Sequence, residues 1–212
     1  MSIIIRQEEE RDYRRVEEIA REAFWNLYFP GTDIPVVVNK LRRSSDFIKE
    51  LTYVIEVNGK VEGAIFYTNS KIIDKKEVEH KVISFGPVFI SPEFHRQGLG
   101  RKLITYTIEK AKEMGYRAII TLGYPYHYEP YGFLGGKKYG ISMPDMKFYR
   151  GLLVLPSYEG ALENISGYVI FSNDLEATQE EIEEFDKRFP YKEKGFQESQ
   201  LEYEKACAEL DE

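Results

Sequence analysis

The stretch that decides the fold covers residues 86–103 and reads GPVFISPEFHRQGLGRKL. It begins as an apolar strand, turns at a Ser-Pro pair and continues through a loop that contains Gly98 and Gly100. From Leu99 to about Met114, apolar residues recur at helical spacing, which predicts an amphipathic helix with one face against a sheet. The predicted order is therefore strand, glycine loop and helix.

The glycine loop is suited to binding an anion. Two glycines let the backbone approach a ligand closely, and the first N–H groups of the helix have no partners within it. The positive end of the helix dipole adds to the attraction, as do the side chains of Arg96, Arg101 and Lys102. The loop matches neither the Walker phosphate loop nor the dinucleotide fingerprint, which requires a glycine or alanine where this chain has Leu103. We expect it to bind a phosphate or a pyrophosphate.

Composition limits the classes of function. The chain has 212 residues, of which 42% are hydrophobic and 31% charged, enough for one core plus an appendage. A single cysteine, Cys207, excludes a disulfide framework, so we expect a cytoplasmic protein in which this residue is a partly buried structural side chain. The net charge of −7 argues against a nucleic-acid partner and favours a cationic acceptor. No apolar run approaches the roughly 18 residues of a membrane span, so we expect no membrane partner.

Hydrophobic periodicity predicts alternating strands and helices along the chain. An Asn-Gly pair at 58–59 predicts a hairpin, the polar stretch 69–80 an extended turn, and Thr178 with Glu181 a capping box. Pro87 marks either a bulge or the end of its strand. The predicted strands are 3–6, 51–57, 61–67, 81–90, 117–122, 133–141, 146–155 and 167–171. The predicted helices are 12–28, 36–43, 99–114, one that starts at 178, and 197–210 with Leu201, Ala206 and Leu210 inward.

The order of strand, Ser-Pro-Glu-Phe, cationic loop, G-x-G and helix resembles motif A of the GNAT superfamily of N-acetyltransferases, and the chain resembles an uncharacterised bacterial subgroup. The usual motif is [Gln/Arg]-x-x-Gly-x-[Gly/Ala], and here His95 occupies its first position. The resemblance implies an α/β (α+β) fold with a mixed, mostly antiparallel sheet, splayed between strands four and five and flanked by helices. It covers about residues 1–172, the predicted acetyltransferase domain. Residues 173–212 are then a helical extension, packed on the core or at a dimer contact.

The resemblance also implies acetyl-CoA as cosubstrate, with no metal. In the family, backbone groups of the fourth strand hold the pantetheine arm and can polarise the thioester carbonyl; the matching residues here are Val88, Phe89 and Ile90. The pyrophosphate is held by the motif A loop. Its matching residues are the backbone of His95, Arg96, Gln97, Gly98, Leu99 and Gly100, together with Arg101.

A proton donor for the leaving thiolate is implied by the family pattern Tyr-x-x-x-Gly-Phe, which occurs here as Tyr128 followed by Gly132 and Phe133. A phenol can donate a proton to sulfur, and the alternative is that Tyr128 only packs against the sheet. The base stays open between His127, Glu129 and no dedicated group. The candidates for binding the acceptor are Trp25, Tyr28, Phe29, Asp33, Tyr124 and Tyr126.

We therefore expect direct acetyl transfer, through a ternary complex, to a primary amine on a small molecule or a peptide. A rival hypothesis is a non-catalytic module that binds or senses acyl-CoA, which would have no need to retain Tyr128. A third, an unrelated phosphate-binding protein, does not explain the ordered pattern from the fourth strand to the fifth. The identity of the acceptor and the acyl-chain length stay open.

Overall fold

The computed structural model describes residues 2–211 and contains one mixed sheet of nine strands, with six α-helices around it in that range. The strands are β1 (Ile3–Gln7), β2 (Tyr53–Val57), β3 (Lys60–Asp74), β4 (Glu79–Ile90), β5 (Ala118–Leu122), β6 (Leu134–Gly135), β7 (Ile141–Ser142), β8 (Leu152–Pro156) and β9 (Gly167–Ile170). The helices are α1 (Tyr13–Phe24), α2 (Ile34–Leu41), α3 (Leu99–Glu113), α4 (Pro125–Tyr128), α5 (Gln179–Asp186) and α6 (Glu198–Ala208).

The sheet is mostly antiparallel, as the family resemblance implies, in the order β1-β2-β3-β4-β5-β8-β6. Two pairs are parallel: β4 with β5, and β7 with β9. The first half of β3 pairs with β2, and its second half pairs with β9. The predicted hairpin between β2 and β3 is confirmed: Asn58 and Gly59 both have positive φ, as a type I′ turn requires.

The sheet opens between β4 and β5. These strands pair only at Ile83 with Ile119 and at Ser84 with Ile120. On the other side of β4, the register against β3 shifts between Ile65 and Tyr67, so two β4 residues, Gly86 and Pro87, lie opposite one β3 residue. The structure therefore favours the bulge at Pro87. It confirms the predicted splay between strands four and five.

Neighbouring side chains in the first half of β3 point to opposite faces of the sheet and belong to different cores. On β3, Ile65 and Tyr67 face the core that α3 covers, whereas Ala64 and Phe66 face the core beneath α1 and α2. This alternation follows from the two-residue period of a strand. The helix over 99–114 is confirmed as α3, with Leu103 and Ile108 among its buried residues.

The C-terminal helices pack near the first two helices. Phe185 of α5 packs in a small core with Val36 of α2, and the predicted capping box of Thr178 and Glu181 is present. Whether residues 173–212 form a unit separate from residues 1–172 stays a prediction, and residues 1 and 212 of those ranges lie outside the described structure.

The inward face predicted for the last helix is wrong at two positions. Leu201 and Leu210 are 48% and 45% exposed, and the residue of α6 that is buried is Gln200, whose Nε2 donates hydrogen bonds to the carbonyls of Asn26 and Gly195. Cys207 is exposed rather than partly buried. Hydrogen bonds to main-chain carbonyls and a stack of Tyr203 on Tyr28, rather than an apolar stripe, orient this helix.

Several predicted boundaries are wrong. The stretch 69–80 is mostly strand, because the second half of β3 is paired on both sides, by β4 and by β9. The predicted strand 133–141 is two short strands around a 3-10 turn, which ends at Gly140 with φ of 67°. The strand predicted over 146–155 begins only at Leu152. Within residues 2–211, no helix combines the length and the apolarity needed to cross a bilayer.

Candidate functional site

The loop between β4 and α3 turns backbone N–H groups toward one place. Arg96 and Gly98 have φ of 60° and 80°, both left-handed, and such residues between ordinary ones form concave anion sites. The first hydrogen bond of α3 runs from the N–H of Lys102 to the carbonyl of Gly98 at 3.1 Å. The N–H groups of Leu99, Gly100 and Arg101 therefore have no acceptor within the helix.

The side chains around this loop are suited to an anion. Arg96, Arg101 and Lys102 are all exposed. Leu99 is buried in the core, so only its backbone is available to a ligand, and Gln97 turns its side-chain amide to the carbonyl of Glu93 at 3.0 Å. The loop thus combines free N–H donors with positive charge at a helix N-terminus.

The backbone of β4 alternates in direction beyond the bulge. The N–H of Ser91 donates to the carbonyl of Glu62 on the β3 side at 2.7 Å. Since hydrogen-bonded and non-bonded pairs alternate in an antiparallel ladder, Phe89 also directs its backbone to β3, whereas Val88 and Ile90 direct theirs away from it. Of the three predicted strand residues, two therefore present backbone groups on the side where the sheet opens.

His95 joins the loop to the end of β4. Its Nε2 lies 2.9 Å from the carbonyl of Ile90, so this nitrogen carries the proton and donates. The side chain of the first motif position thus holds a backbone group at the split, a contact that the sequence alone does not indicate.

Tyr128 stands where the sheet opens. Its ring packs edge-on against Phe85 at 5.4 Å and near Phe133 at 6.0 Å between ring centroids. Burial, with a smaller contribution from neighbouring tyrosines, raises the pKa of Tyr128 well above its usual value near 10. The phenol is therefore protonated at neutral pH and can donate a proton. The packing and the donor interpretations are compatible in this position.

The candidates for the base lie beside Tyr128. The ring of His127 lies 4.3 Å from that of Tyr126 between centroids, and partial desolvation lowers the pKa of His127 below its usual value. Glu129 is exposed. Both stay open as candidates.

The predicted acceptor residues separate into two groups. Trp25 is buried and its Nε1 donates to the carbonyl of Glu193 at 2.8 Å, which is a structural contact. Phe29 lines a depression beside Phe196, which adjoins the cavity described next and shares Tyr28, Tyr203 and Cys207 with it. Tyr28 and Tyr124 instead line a cavity of about 560 Å³. Its lining consists of Tyr28, Leu122, Gly123, Tyr124, Met143, Pro144, Asp145, Tyr149, Gly151, Tyr203, Ala206 and Cys207.

Sequence reasoning did not find the part of this cavity that comes from residues 143–151 and from α6, because neither segment carries a motif. Asp33 is half-buried near the cavity, and burial raises the pKa of Asp33 above its usual value. In residues 2–211, no group of three or more His, Cys, Asp or Glu side chains is arranged to hold a metal ion.

Comparison with known proteins is consistent with this geometry. The model of the acetyltransferase (GNAT) family matches residues 15–130. The uncharacterized N-acetyltransferase YjhQ of Escherichia coli is 24% identical over 123 residues, which are 56% of this chain and 67% of that protein. The uncharacterized N-acetyltransferase YhbS of Escherichia coli is 27% identical over 113 residues, or 48% and 68% of the two chains.

Solved structures show the same fold. The Escherichia coli YhbS structure, in complex with CoA, has a TM-score of 0.71 and 21% identity over 81% of this chain and 91% of that chain. A GNAT family acetyltransferase from Brucella melitensis, in complex with acetyl-CoA, has a TM-score of 0.67 and 20% identity over 82% and 99% of the two chains. The predicted fold class is confirmed.

Proposed function

The chain belongs to the acetyltransferase (GNAT) family, and from that premise we propose that it transfers an acetyl group from acetyl-CoA directly to a primary amine. Both substrates are bound together in a ternary complex. The observation that carries the proposal is the open split between β4 and β5, which has free N–H donors at one end and protonated Tyr128 beside it.

The residues present fit acetyl-CoA. A pyrophosphate needs several donors and positive charge, which the loop from His95 to Arg101 supplies through its backbone and the Arg101 side chain. A pantetheine arm contains amide groups that pair with the backbone of an extended strand, and Val88 and Ile90 have such groups directed to the split. The bound acetyl-CoA supplies the thioester.

The transfer forms a C–N bond and breaks a C–S bond. As the neutral amine adds to the thioester carbonyl, negative charge grows on the carbonyl oxygen, and an N–H of Val88 or Ile90 stabilises it; the strand register, which directs these groups away from β3, supports this role. Tyr128 donates its phenolic proton to the departing sulfur. The amine gives up a proton to His127, to Glu129 or to solvent, and these three stay alternatives.

Acetyl-CoA at about a hundred times its dissociation constant is expected to stabilise the protein by roughly 2.7 kcal/mol, or roughly 5–11 °C in Tm. The measurement is thermal unfolding with and without acetyl-CoA, followed by thiol release across a panel of amines. Arg101→Gln is expected to reduce the stabilisation, because it removes positive charge at the loop. Lys112→Gln removes the same charge at the other end of α3 and is the control.

Each outcome of that measurement has a clear meaning. Stabilisation with thiol release supports the enzyme. Stabilisation without release for any amine in the panel favours the non-catalytic acyl-CoA-binding module. Absence of stabilisation at saturating acetyl-CoA contradicts the proposed function.

Gly123→Ala is expected to lower kcat by roughly 100-fold, since a displacement of about 1 Å at a catalytic group has such effects. A Cβ at this position would lie 2.5 Å from Cε2 of Tyr128, so the phenol ring must move. Stabilisation by acetyl-CoA should persist. Gly195→Ala is the control, because its Cβ meets only Asn26 Nδ2 at 3.8 Å. An unchanged kcat in Gly123→Ala would show that the position of the ring is unimportant.

A further inference from the structure

The 560 Å³ cavity lies next to Tyr128 but is separate from the coenzyme loop. It begins at Leu122, Gly123 and Tyr124, where the chain leaves β5, and Gly123 is in close contact with the Tyr128 ring. None of the residues that line it in the described chain belongs to β4 or to the loop that precedes α3. The cavity is therefore available to a second substrate while the loop holds the first.

The walls of the cavity are aromatic and apolar. Tyr28, just after α1, and Tyr203 of α6 stack with ring centroids 4.1 Å apart and 23° between their planes. Tyr124 and Tyr149 add two more rings, and Leu122 and Met143 are also in the lining. Faces of aromatic rings attract cations, and apolar walls accept the hydrocarbon body of an amine.

Asp145 is the charged residue in the described lining. The hydroxyl of Tyr149 donates to its Oδ2 at 2.7 Å, and the N–H of Lys147 donates to Oδ1 at 3.1 Å. These hydrogen bonds, together with the Lys147 charge, hold the pKa of Asp145 below its usual value, so the carboxylate is ionised at neutral pH. The Lys147 ammonium is 3.8 Å from Oδ2, and both side chains are about half exposed, so a ligand can compete for the carboxylate.

A carboxylate in this place is unsuited to holding the nitrogen that reacts. An ammonium paired with a carboxylate keeps its proton, because the ion pair raises its pKa, whereas the attacking nitrogen must be neutral. The reacting nitrogen is therefore expected at the Gly123 end of the cavity, beside Tyr128. Asp145 is then available to bind a different group of the acceptor.

We propose that this cavity is the acceptor site and that the acceptor carries a second cationic group, which Asp145 binds while the first amine is acetylated. The acceptor class is thus a diamine or polyamine with a hydrocarbon body. This inference rests on the proposed function and names its substrate class. Net charge of −7 on the chain would draw such a polycation toward the protein.

The C-terminal helix is a wall of this site. Tyr203, Ala206 and Cys207 of α6 complete the lining. The helix is tied to the segment that carries Asp145, since the N–H of Arg150 donates to the carbonyl of Glu209 at 2.9 Å and the N–H of Asp211 to that of Phe148 at 2.8 Å. The C-terminal extension therefore contributes to the specificity for the acceptor.

The test compares cadaverine with pentylamine, which has the same carbon chain and one amino group, at saturating acetyl-CoA. The wild-type protein is expected to use cadaverine with a kcat/KM about tenfold higher or more. Asp145→Asn should raise KM for cadaverine about tenfold and leave the constants for pentylamine unchanged. Glu159→Gln, which removes one charge from an exposed loop, is the control and should change neither amine.

Tyr203→Ala should raise KM for both amines, because it removes part of the cavity wall. Tyr203→Phe keeps the ring and should have a KM close to that of the wild type.

Equal use of the two amines, or equal effects of Asp145→Asn and Glu159→Gln, would overturn the inference. If neither amine is acetylated, calorimetric titration of cadaverine into the CoA-saturated protein decides: binding that Asp145→Asn weakens supports it, and absence of binding overturns it. Failure of the proposed function is distinct, because it appears as absent stabilisation by acetyl-CoA or as no thiol release with any amine.

Discussion

Tyr128→Phe is expected to lower kcat by roughly 10²- to 10⁴-fold, the usual contribution of a general acid. The substitution removes the phenolic proton and keeps the ring, which packs against Phe85 and Phe133. The variant should therefore fold normally. Stabilisation by acetyl-CoA should be unchanged, because the loop proposed to hold the pyrophosphate acts through its own backbone N–H groups and Arg101. The measurement is steady-state thiol release, with thermal unfolding as the readout of binding.

Tyr158→Phe is the matched control, since it removes a hydroxyl from a side chain that is 54% exposed and belongs to no part of the proposed site. It should leave kcat within about twofold, as expected of a surface substitution. Because burial raises the pKa of Tyr128 above 10, its proton stays in place as pH rises to 9, and the wild-type rate should show no loss from its titration in that range. Equal kcat values for Tyr128→Phe and wild type would show that Tyr128 contributes only packing and donates no proton.

Arg42→Met is expected to reduce the free energy of unfolding by roughly 3–5 kcal/mol, which corresponds to roughly 6–20 °C in Tm. Arg42 forms ion pairs with Glu8 at 2.6 Å and with Glu17 at 2.7 Å, and all three side chains are at most 8% exposed. Its guanidinium also lies 3.9 Å above the ring of Tyr13. Removal of the arginine leaves two buried carboxylates without their cation, which is far more costly than the loss of a surface pair.

Arg11→Met is the control, because the Arg11–Glu9 pair is 69% and 54% exposed and is expected to contribute about 0–1 kcal/mol.

The loss of unfolding free energy in Arg42→Met should depend on pH. Burial already raises the pKa of Glu8 against the opposing effect of Arg42, and without the arginine this pKa rises further. The destabilisation of Arg42→Met is thus present above the folded-state pKa of Glu8 and decreases as the pH falls through that pKa. Chemical denaturation at pH 7 and pH 5 measures both effects, and a loss equal to that of Arg11→Met would contradict the expectation.

The parts of the site that could be predicted from the sequence depend on residues a few positions apart. The turn at Asn58 and Gly59 and the free N–H groups at the start of α3 follow from backbone preferences within about four residues. The motif around Gly98 and the position of Tyr128 before Gly132 could also be found from the sequence, because family motifs are defined by the spacing of nearby residues. The roles of these residues in acetyl transfer stay predictions.

The acceptor side could not be predicted in the same way. Residues 143–151 carry no motif, and Met146 has a φ of 65° that propensity does not indicate. The predicted strand 133–141 is interrupted by a 3-10 turn that ends at Gly140, and the strand predicted over 146–155 begins only at Leu152. Which side chains line a cavity depends on how such irregular segments are held by distant parts of the chain.

The sequence by itself determined the order of the main elements and the turn at Asn58 and Gly59, since each depends on local pattern. The splay between strands four and five followed from the family resemblance, and the structure decided that Pro87 lies at a bulge. Only the tertiary structure decided that α6 lies against Tyr28, about 175 residues earlier, and that Arg42 meets Glu8 and Glu17. The physical reason is the same for both. These contacts join residues far apart in the chain through an aromatic stack, ion pairs and hydrogen bonds to main-chain carbonyls, such as that of Ser199 to Leu27, and such partners leave no periodic signal in the sequence.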